Sequence, residues 1–307
     1  MHAVFIDASE TLGSLFERLP TPLDLPLIVH RDPDIRPEEI PQVLFGNAPI
    51  AIIDHTALPT AIARRCVGLK HVIFLGTGAR SYMNPEELAE LGIQVHLIRG
   101  YGDTAVAECT IALMWAGARN LGLMDRAMRR GEWRRDDGVQ LTGKTLGLIG
   151  FGGIGTEVAR LALGIGMKVL AWNRTPKSHD GVEFVDIDTL LAQSDVVSLH
   201  LLLTDETRGF LSRARIAAMK PGAMLVNTAR GALVDEDAMI EALQNGQLRH
   251  AGLDVYCIEP LPADHPLTSL PNVTLSAHSA FRTPEASENL VQAALQHCRR
   301  IVAESLS

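Results

Sequence analysis

The feature that most constrains this chain is the run Thr145–Ile149, followed without a break by Gly150-Phe151-Gly152-Gly153-Ile154-Gly155. Strand-type sequence enters a GxGxxG turn, and the stretch Thr156–Leu163 that leaves it reads as a helix. In that setting Gly150 permits the tight turn, Gly152 lets backbone approach a pyrophosphate, and Gly155 allows close helix–strand packing. Gly153 and Ile154 complete the turn at a helix N-terminus, whose free N–H groups and dipole attract phosphate. Such a unit commits the chain to a parallel α/β layer, and the ligand it fits is a dinucleotide.

An acidic residue about 20 positions further on usually binds the adenosine ribose hydroxyls. Here the slot after the candidate strand Lys168–Trp172 reads Asn173-Arg174-Thr175, and the nearest carboxylate downstream is Asp180. A carboxylate about 4 Å from a 2′-phosphate would cost about 4 kcal/mol per charge pair at an effective dielectric near 20. That repulsion is absent, and Arg174 offers a fork of donors that Thr175 and Lys177 could assist. NADP is therefore favoured. NAD stays open if Arg174 only stacks on adenine.

The rest of the chain supports two α/β series. Candidate strands Ala3–Asp7, Leu27–His30, Ile50–Asp54, His71–Leu75 and Gln94–Ile98 alternate with helical patterns such as Thr60–Val67 and Pro85–Leu91. Six of the 16 prolines lie between Pro20 and Pro41, which predicts an irregular connection. A long apolar helix is expected from Thr104 to about Met128. The second series has strands Thr145–Ile149, Lys168–Trp172, Val196–Leu199, Ala223–Asn227, Leu253–Val255 and Val273–Ala277. A last helix, Thr283 to about Ala303, is too isolated to be a domain and is expected to rejoin the first series. The expected fold is α/β, with two doubly wound parallel-sheet domains. A Rossmann cofactor domain, residues 99–281, is inserted into a flavodoxin-like substrate domain made of residues 1–98 and 282–307.

Composition removes several function classes. With 28 basic and 36 acidic residues the net charge is −8, unlike a nucleic-acid-binding protein. The longest basic cluster, Arg126 to Arg135, is interrupted by Glu132 and followed by Asp136 and Asp137, as at a solvated helix end. No apolar run is long enough to span a bilayer, and the best candidate, Thr104–Ala118, contains Glu108. Residues Met1 to Asp7 lack the features of a signal peptide. The four cysteines are scattered without a CxxC pair, so reduced thiols and a cytoplasmic location are expected. No HExxH or paired Cys/His spacing points to a metal.

Three residues with catalytic chemistry follow predicted strands. Arg230 lies in Val226-Asn227-Thr228-Ala229-Arg230-Gly231, Glu259 in Asp254-Val255-Tyr256-Cys257-Ile258-Glu259-Pro260, and His278 in Leu275-Ser276-Ala277-His278. In open α/β sheets that carboxyl edge is where ligands sit. Each alone has an ordinary surface reading; beside a dinucleotide cradle the three together match one reaction.

From about Tyr101 to His278 the chain resembles the D-isomer-specific 2-hydroxyacid dehydrogenase family, in particular its glyoxylate/hydroxypyruvate reductase-like members. The carrying segments are Ala105–Ala112, Leu141–Gly155, Ser198–Phe210, Met219–Asp235 and Gly252–Leu261. The resemblance implies hydride transfer between NAD(P)H and a small 2-oxo acid or D-2-hydroxy acid. His278 would be the acid/base, and Glu259 would orient it and favour its protonated form. Arg230 would bind the substrate carboxylate and polarise the carbonyl. Asp254 and backbone near Thr228 and Ala229 would orient the nicotinamide carboxamide, with His200 and Thr207 among the cofactor contacts. The turn Gly76-Thr77-Gly78-Ala79-Arg80-Ser81 would offer amides of Gly78 and Ala79 to the substrate carboxylate.

Departures from the family pattern, Ala277, Leu202, Ala79-Arg80-Ser81 and Ser279-Ala280-Phe281-Arg282, gather near the expected pocket and bear on specificity. Arg80 and Arg282 suggest a substrate with a second acidic or polar group, unless they face solvent or pair with surface acids. The resemblance also implies a homodimer through the cofactor domain. One alternative is a dinucleotide-sensing, corepressor-like binding protein with little turnover.

Overall fold

The computed structural model describes residues 2–19 and 25–306. The chain divides into two compact units, Met1–Gly102 with Thr283–Ser307, and Asp103–Arg282. Elements are numbered in chain order.

The first unit contains strands β1 (Ala3–Phe5), β2 (Leu27–Val29), β3 (Ile50–Ile53), β4 (His71–Phe74) and β5 (Gln94–Leu97). Its helices are α1 (Glu10–Arg18), α2 (Ile40–Val43), α3 (Thr60–Ala63), α4 (Pro85–Glu90) and the returning α12 (Pro284–Leu306). The strands form a parallel sheet in the order β2-β1-β3-β4-β5. Alternation along the strands covers both faces. Phe5, Ile50, Ile52 and Ile73 pack with Phe16 of α1 and Leu290, Val291, Ala294 and Leu295 of α12. Val4, Ile53, Val72 and Phe74 face Ile40, Ala63 and Leu88. Asn84 caps α4 by accepting from the Glu86 and Glu87 amides.

The second unit contains β6 (Thr145–Ile149), β7 (Lys168–Trp172), β8 (Val182–Phe184), β9 (Val196–Leu199), β10 (Ala223–Asn227), β11 (Leu248–Leu253) and β12 (Val273–Leu275). Its helices are α5 (Asp103–Ala118), α6 (Leu121–Arg129), α7 (Gly153–Gly164), α8 (Ile187–Gln193), α9 (Arg213–Ala218), α10 (Glu236–Asn245) and α11 (Pro266–Ser269). The parallel sheet runs β12-β11-β10-β9-β6-β7-β8, so strand order reverses between β6 and β9. That reversal marks the crevice where open α/β sheets bind ligands. Leu146, Leu148, Met224 and Val226 face α5 and α7, while Val197, Leu199 and Leu225 face α8, α9 and α10. Both sheets are thus doubly wound α/β layers, as expected.

Several boundaries differ from expectation. The single helix predicted from Thr104 to Met128 is two helices, broken at Asn120, whose φ of 52° is left-handed. Asparagine tolerates that conformation, and its Nδ2 donates to the Asp137 carbonyl. The strand predicted at Leu253–Val255 runs instead from Leu248 to Leu253, because ladder pairing to β10 and β12 outweighs the polar look of Arg249-His250. The short edge strand β8 and helix α1 were not anticipated. Of the proline-rich connection, residues 20–24 lie outside the described residues. The remainder holds β2, a 3-10 turn at Pro37–Glu39 and α2.

The apolar character of α5 is accounted for within the chain, since Ala105, Val106, Ala107, Ile111, Leu113 and Met114 are buried. The Arg126–Arg135 run is partly neutralised by pairs Arg129–Asp125, Arg130–Glu132 and Arg134–Asp136. Among the described residues no helix is long and apolar enough to cross a membrane. Nor does any group of three or more His, Cys, Asp or Glu among them stand ready to hold a metal ion.

Candidate active site

The turn after β6 has the geometry its glycines foretell. Gly150 has φ of 99°, and a Cβ there would lie 2.5 Å from the His200 carbonyl oxygen. A Cβ on Gly155 would lie 2.5 Å from the Gly150 carbonyl oxygen, so only glycine lets α7 start this close to the strand end. At Gly152 a Cβ would meet nothing within 4 Å. The amides of Gly152, Gly153 and Ile154 find no acceptor among the described residues. Open space flanked by unpaired N–H groups at a helix N-terminus suits a pyrophosphate, so the turn fits the dinucleotide it was expected to hold.

The slot after β7 does two things. Asn173 braces the turn: its Oδ1 accepts from the Phe151 amide at 3.1 Å and its Nδ2 donates to the Thr175 carbonyl at 2.8 Å. Lys177 reaches back to donate to the Phe151 carbonyl. Arg174 is exposed, and its nearby charge helps lower the Glu206 pKa, chiefly held down by a hydrogen bond from Thr204. His200, after β9, meets Ser198 Oγ at 2.9 Å, and burial pushes its pKa down to about 4. The Thr207 hydroxyl accepts from the Thr204 amide and donates to the Leu202 carbonyl, both at 2.7 Å, which ties it into its own loop.

Arg230, Glu259 and His278 follow the carboxyl ends of three neighbouring strands, β10, β11 and β12. His278 Nδ1 lies 2.6 Å from Glu259 Oε2, both side chains about one-third exposed. Glu259 is itself held, because its Oε1 accepts from the Tyr256 amide at 2.9 Å. His278 sits at φ 47° and its amide donates to the Asp254 carbonyl at 2.7 Å. A left-handed conformation at a non-glycine residue persists only where the surroundings determine it. With Nδ1 committed to the carboxylate, His278 Nε2 makes no hydrogen bond among the described residues.

The surroundings that hold His278 are centred on Asp254, which is 1% exposed. Asp254 Oδ1 accepts from Ser276 Oγ and, at 3.0 Å, from the Ser279 amide; Oδ2 accepts from the Ala280 amide at 2.9 Å. Tyr256 adds a second tie, donating its hydroxyl to the Ser276 carbonyl at 2.6 Å, and burial pushes its pKa up to about 12. Sequence reasoning gave Ser276 and Tyr256 no role. Their signal was proximity in the chain to His278 and Glu259, which only strand register turns into contact.

Arg230 NH1 donates to the Ala229 carbonyl at 2.7 Å, and the Ala229 amide donates to Asn227 Oδ1 at 3.0 Å. Thr228 is buried, with its hydroxyl 2.9 Å from that of Thr110. In the first unit, Gly78 and Ala79 open a 3-10 turn after β4. The amides of Thr77, Gly78 and Ala79 find no acceptor among the described residues. Arg80 is paired with Glu86, so it follows the surface-acid alternative.

The model of the family described as D-isomer specific 2-hydroxyacid dehydrogenase, NAD binding domain, matches residues 111–280. A hydroxypyruvate reductase of Thermotoga maritima is 40% identical over 235 residues, spanning 75% of this chain and 73% of the relative. The structure of a D-2-hydroxyisocaproate dehydrogenase aligns with a TM-score of 0.90 at 25% identity, covering 99% of this chain and 98% of that one. An acyclic imino acid reductase in complex with NADPH and D-Arg aligns with a TM-score of 0.86 at 30% identity, again over 99% and 98%. This chain belongs to the D-isomer specific 2-hydroxyacid dehydrogenase family. It is an oxidoreductase of the nicotinamide dinucleotide class.

Proposed function

We propose that the protein interconverts a small 2-oxo acid and its D-2-hydroxy acid, with NADP favoured over NAD. The observation that carries the reading is the His278–Glu259 pair at 2.6 Å, on the strand edge that also carries Arg230. A bound nicotinamide supplies or accepts the hydride at the substrate carbon. His278 Nε2 donates a proton to the carbonyl oxygen in reduction and takes it back in oxidation. Glu259 holds the imidazole by Nδ1, and the Tyr256 amide holds Glu259. Arg230 carries a permanent charge toward the substrate carboxylate and polarises the carbonyl. In the first unit, the open amides of Gly78 and Ala79 suit a carboxylate.

For the cofactor, Gly150, Gly152, Gly153, Ile154 and Gly155 form the pyrophosphate cradle, and Arg174 with Thr175 meets the adenosine end. The preference for NADP rests on the missing carboxylate after β7 and the exposed guanidinium of Arg174. Thr228, Ala229, His200 and Thr207 line the same strand edge as cofactor contacts. Asp254 acts there through the His278 loop, because its carboxylate oxygens already accept from three donors. Residues 99–281 form the cofactor domain in this reading, and 1–98 with 282–307 the substrate domain. Exposed Trp115, Leu121, Met128 and Trp133 support a homodimer through the cofactor domain. The four free cysteines suit a reducing, cytoplasmic setting.

The test is a matrix of glyoxylate, hydroxypyruvate, pyruvate and branched 2-oxo acids against NADH and NADPH. Turnover of at least one acid, faster with NADPH, is expected. Dinucleotide binding with every acid inert would instead identify a dinucleotide sensor. Arg174→Ala should reduce kcat/KM for NADPH far more than for NADH; equal losses would remove Arg174 from the choice of cofactor.

A further inference from the structure

Asp103, the first residue of α5, lies against the glycine turn although 50 residues separate it from Gly153 in the chain. A Cβ built on Gly153 would fall 1.7 Å from Asp103 Oδ2 and 2.7 Å from its Cγ. Any side chain at 153 would have to displace this carboxylate, whereas Gly152 beside it faces open space. Among the described residues no donor bonds the Asp103 carboxylate and no cation pairs with it. A half-buried, unpartnered carboxylate thus stands against Gly153, in the turn whose Gly152, Gly153 and Ile154 amides are open.

The charged groups around it do not compensate. On α7, Glu157 adds negative charge, and Arg160 is drawn to Glu157 at 3.0 Å. On α5 itself, Glu108 is exposed. Lys177 is bonded to the Phe151 carbonyl, and burial keeps His200 neutral near pH 7. Desolvation first, then the Glu157 charge, raises the Asp103 pKa above its ordinary value. A diphosphate resting on these amides brings further negative charge to the same place, and like charges that close do not both stay ionised.

We propose that Asp103 couples dinucleotide binding to a proton: ionised, its carboxylate opposes a pyrophosphate on the Gly152–Ile154 amides, and protonated, it accompanies the bound cofactor. The proton comes from solvent and rests on a carboxyl oxygen, with no covalent change in the dinucleotide. Protonated, the group no longer repels phosphate and has an O–H to donate. The proposal rests on the reading that this turn holds a nicotinamide dinucleotide, and it makes affinity rise as pH falls.

Calorimetric titration with NADH and NADPH, in two pH 6 buffers of different ionisation enthalpy, counts the protons taken up per dinucleotide. Wild type is expected to take up a measurable fraction of one. Asp103→Asn should take up none beyond what the NADPH 2′-phosphate contributes. The same variant should tighten the Kd at pH 8 by about tenfold, one pKa unit of coupling, and flatten its pH dependence between pH 5.5 and 8.5. Asp103→Ser serves the same purpose if the asparagine variant does not fold, and the wild-type proton count needs no variant. Wild type that binds with no proton uptake, or folded variants that bind no more tightly, would overturn the proposal and leave the cofactor reading intact. Wild type that binds neither dinucleotide would overturn both.

Discussion

Replacing Gly231 with alanine adds one methyl group and should damage both stability and catalysis. Gly231 follows Arg230, and its φ lies outside the left-handed range, so the cost is steric. The new Cβ would lie 2.0 Å from the Tyr256 carbonyl carbon, 2.3 Å from its oxygen and 2.5 Å from the Cys257 amide nitrogen. Carbon atoms in contact prefer about 3.5–4.0 Å, so the overlap is roughly 1.5 Å. All three atoms are backbone, and no rotamer change relieves them. Overpacking of this kind costs about 1–3 kcal/mol, and a clash with backbone belongs at the upper end.

The displacement matters chemically as well. The Tyr256 amide, on the peptide next to the clashing one, holds Glu259 Oε1, and Glu259 meets His278, so a backbone shift of about 1 Å there would misplace the proposed acid/base pair. A misplacement of that size costs about 10²-fold in rate. The assays are denaturant unfolding and kcat/KM for the best 2-oxo acid. Gly164→Ala is the control, since its Cβ meets nothing within 4 Å at the end of α7 and the change should be neutral or stabilising by up to about 1 kcal/mol. Gly231→Ala that unfolds within about 1 kcal/mol of wild type, with unchanged kcat/KM, would refute the reasoning.

Further perturbations separate the roles. Glu259→Gln keeps the shape and the Tyr256 contact but removes the anionic acceptor of His278 Nδ1; kcat should fall about 10²-fold with dinucleotide Kd within twofold, and an unchanged kcat would remove Glu259 from the mechanism. Asp254→Asn removes an acceptor from the Ser279–Ala280 loop, so kcat should drop at least about tenfold while dinucleotide affinity holds. A selective loss of affinity would make Asp254 a cofactor ligand instead. His250 is 4% exposed, and burial pushes its pKa down to about 4. The unfolded chain, near 6.5, binds the proton first, so this contribution to stability is lost as pH falls from about 6.5 toward 4, about 1.4 kcal/mol at pH 5.5. The denaturant midpoint should fall between pH 7.5 and 5.5, less so in a folded His250→Gln variant; identical pH slopes in the two proteins would count against it.

What could be read from sequence followed the range of the signal. The GxGxxG turn and its flanking strand and helix are contiguous, and their geometry needs only local sterics, which is why Gly150 and Gly155 stand as expected. Most strands of both sheets were also legible, because fully buried parallel strands are short apolar runs bounded by turns. The departures occur where distant partners decide. Residues Leu248–Leu253 become a strand through pairing on both sides, and the helix after Asp103 breaks at Asn120 where the Asp137 carbonyl is within reach.

The same division runs through the candidate site. Sequence by itself determined the α/β layering, the glycine turn between β6 and α7 and the placing of Arg230, Glu259 and His278 after strands, since spacing and residue type carry those features. Tertiary structure alone decided that Asp254 cradles the Ser279–Ala280 turn and that Asp103 lies against Gly153, and it gave the Glu259–His278 pairing that the family resemblance implied its 2.6 Å contact. The physical reason is reach. A hydrogen bond or a charge acts over a few ångströms, so a partner far along the chain acquires its role only when strand register and helix packing bring it there.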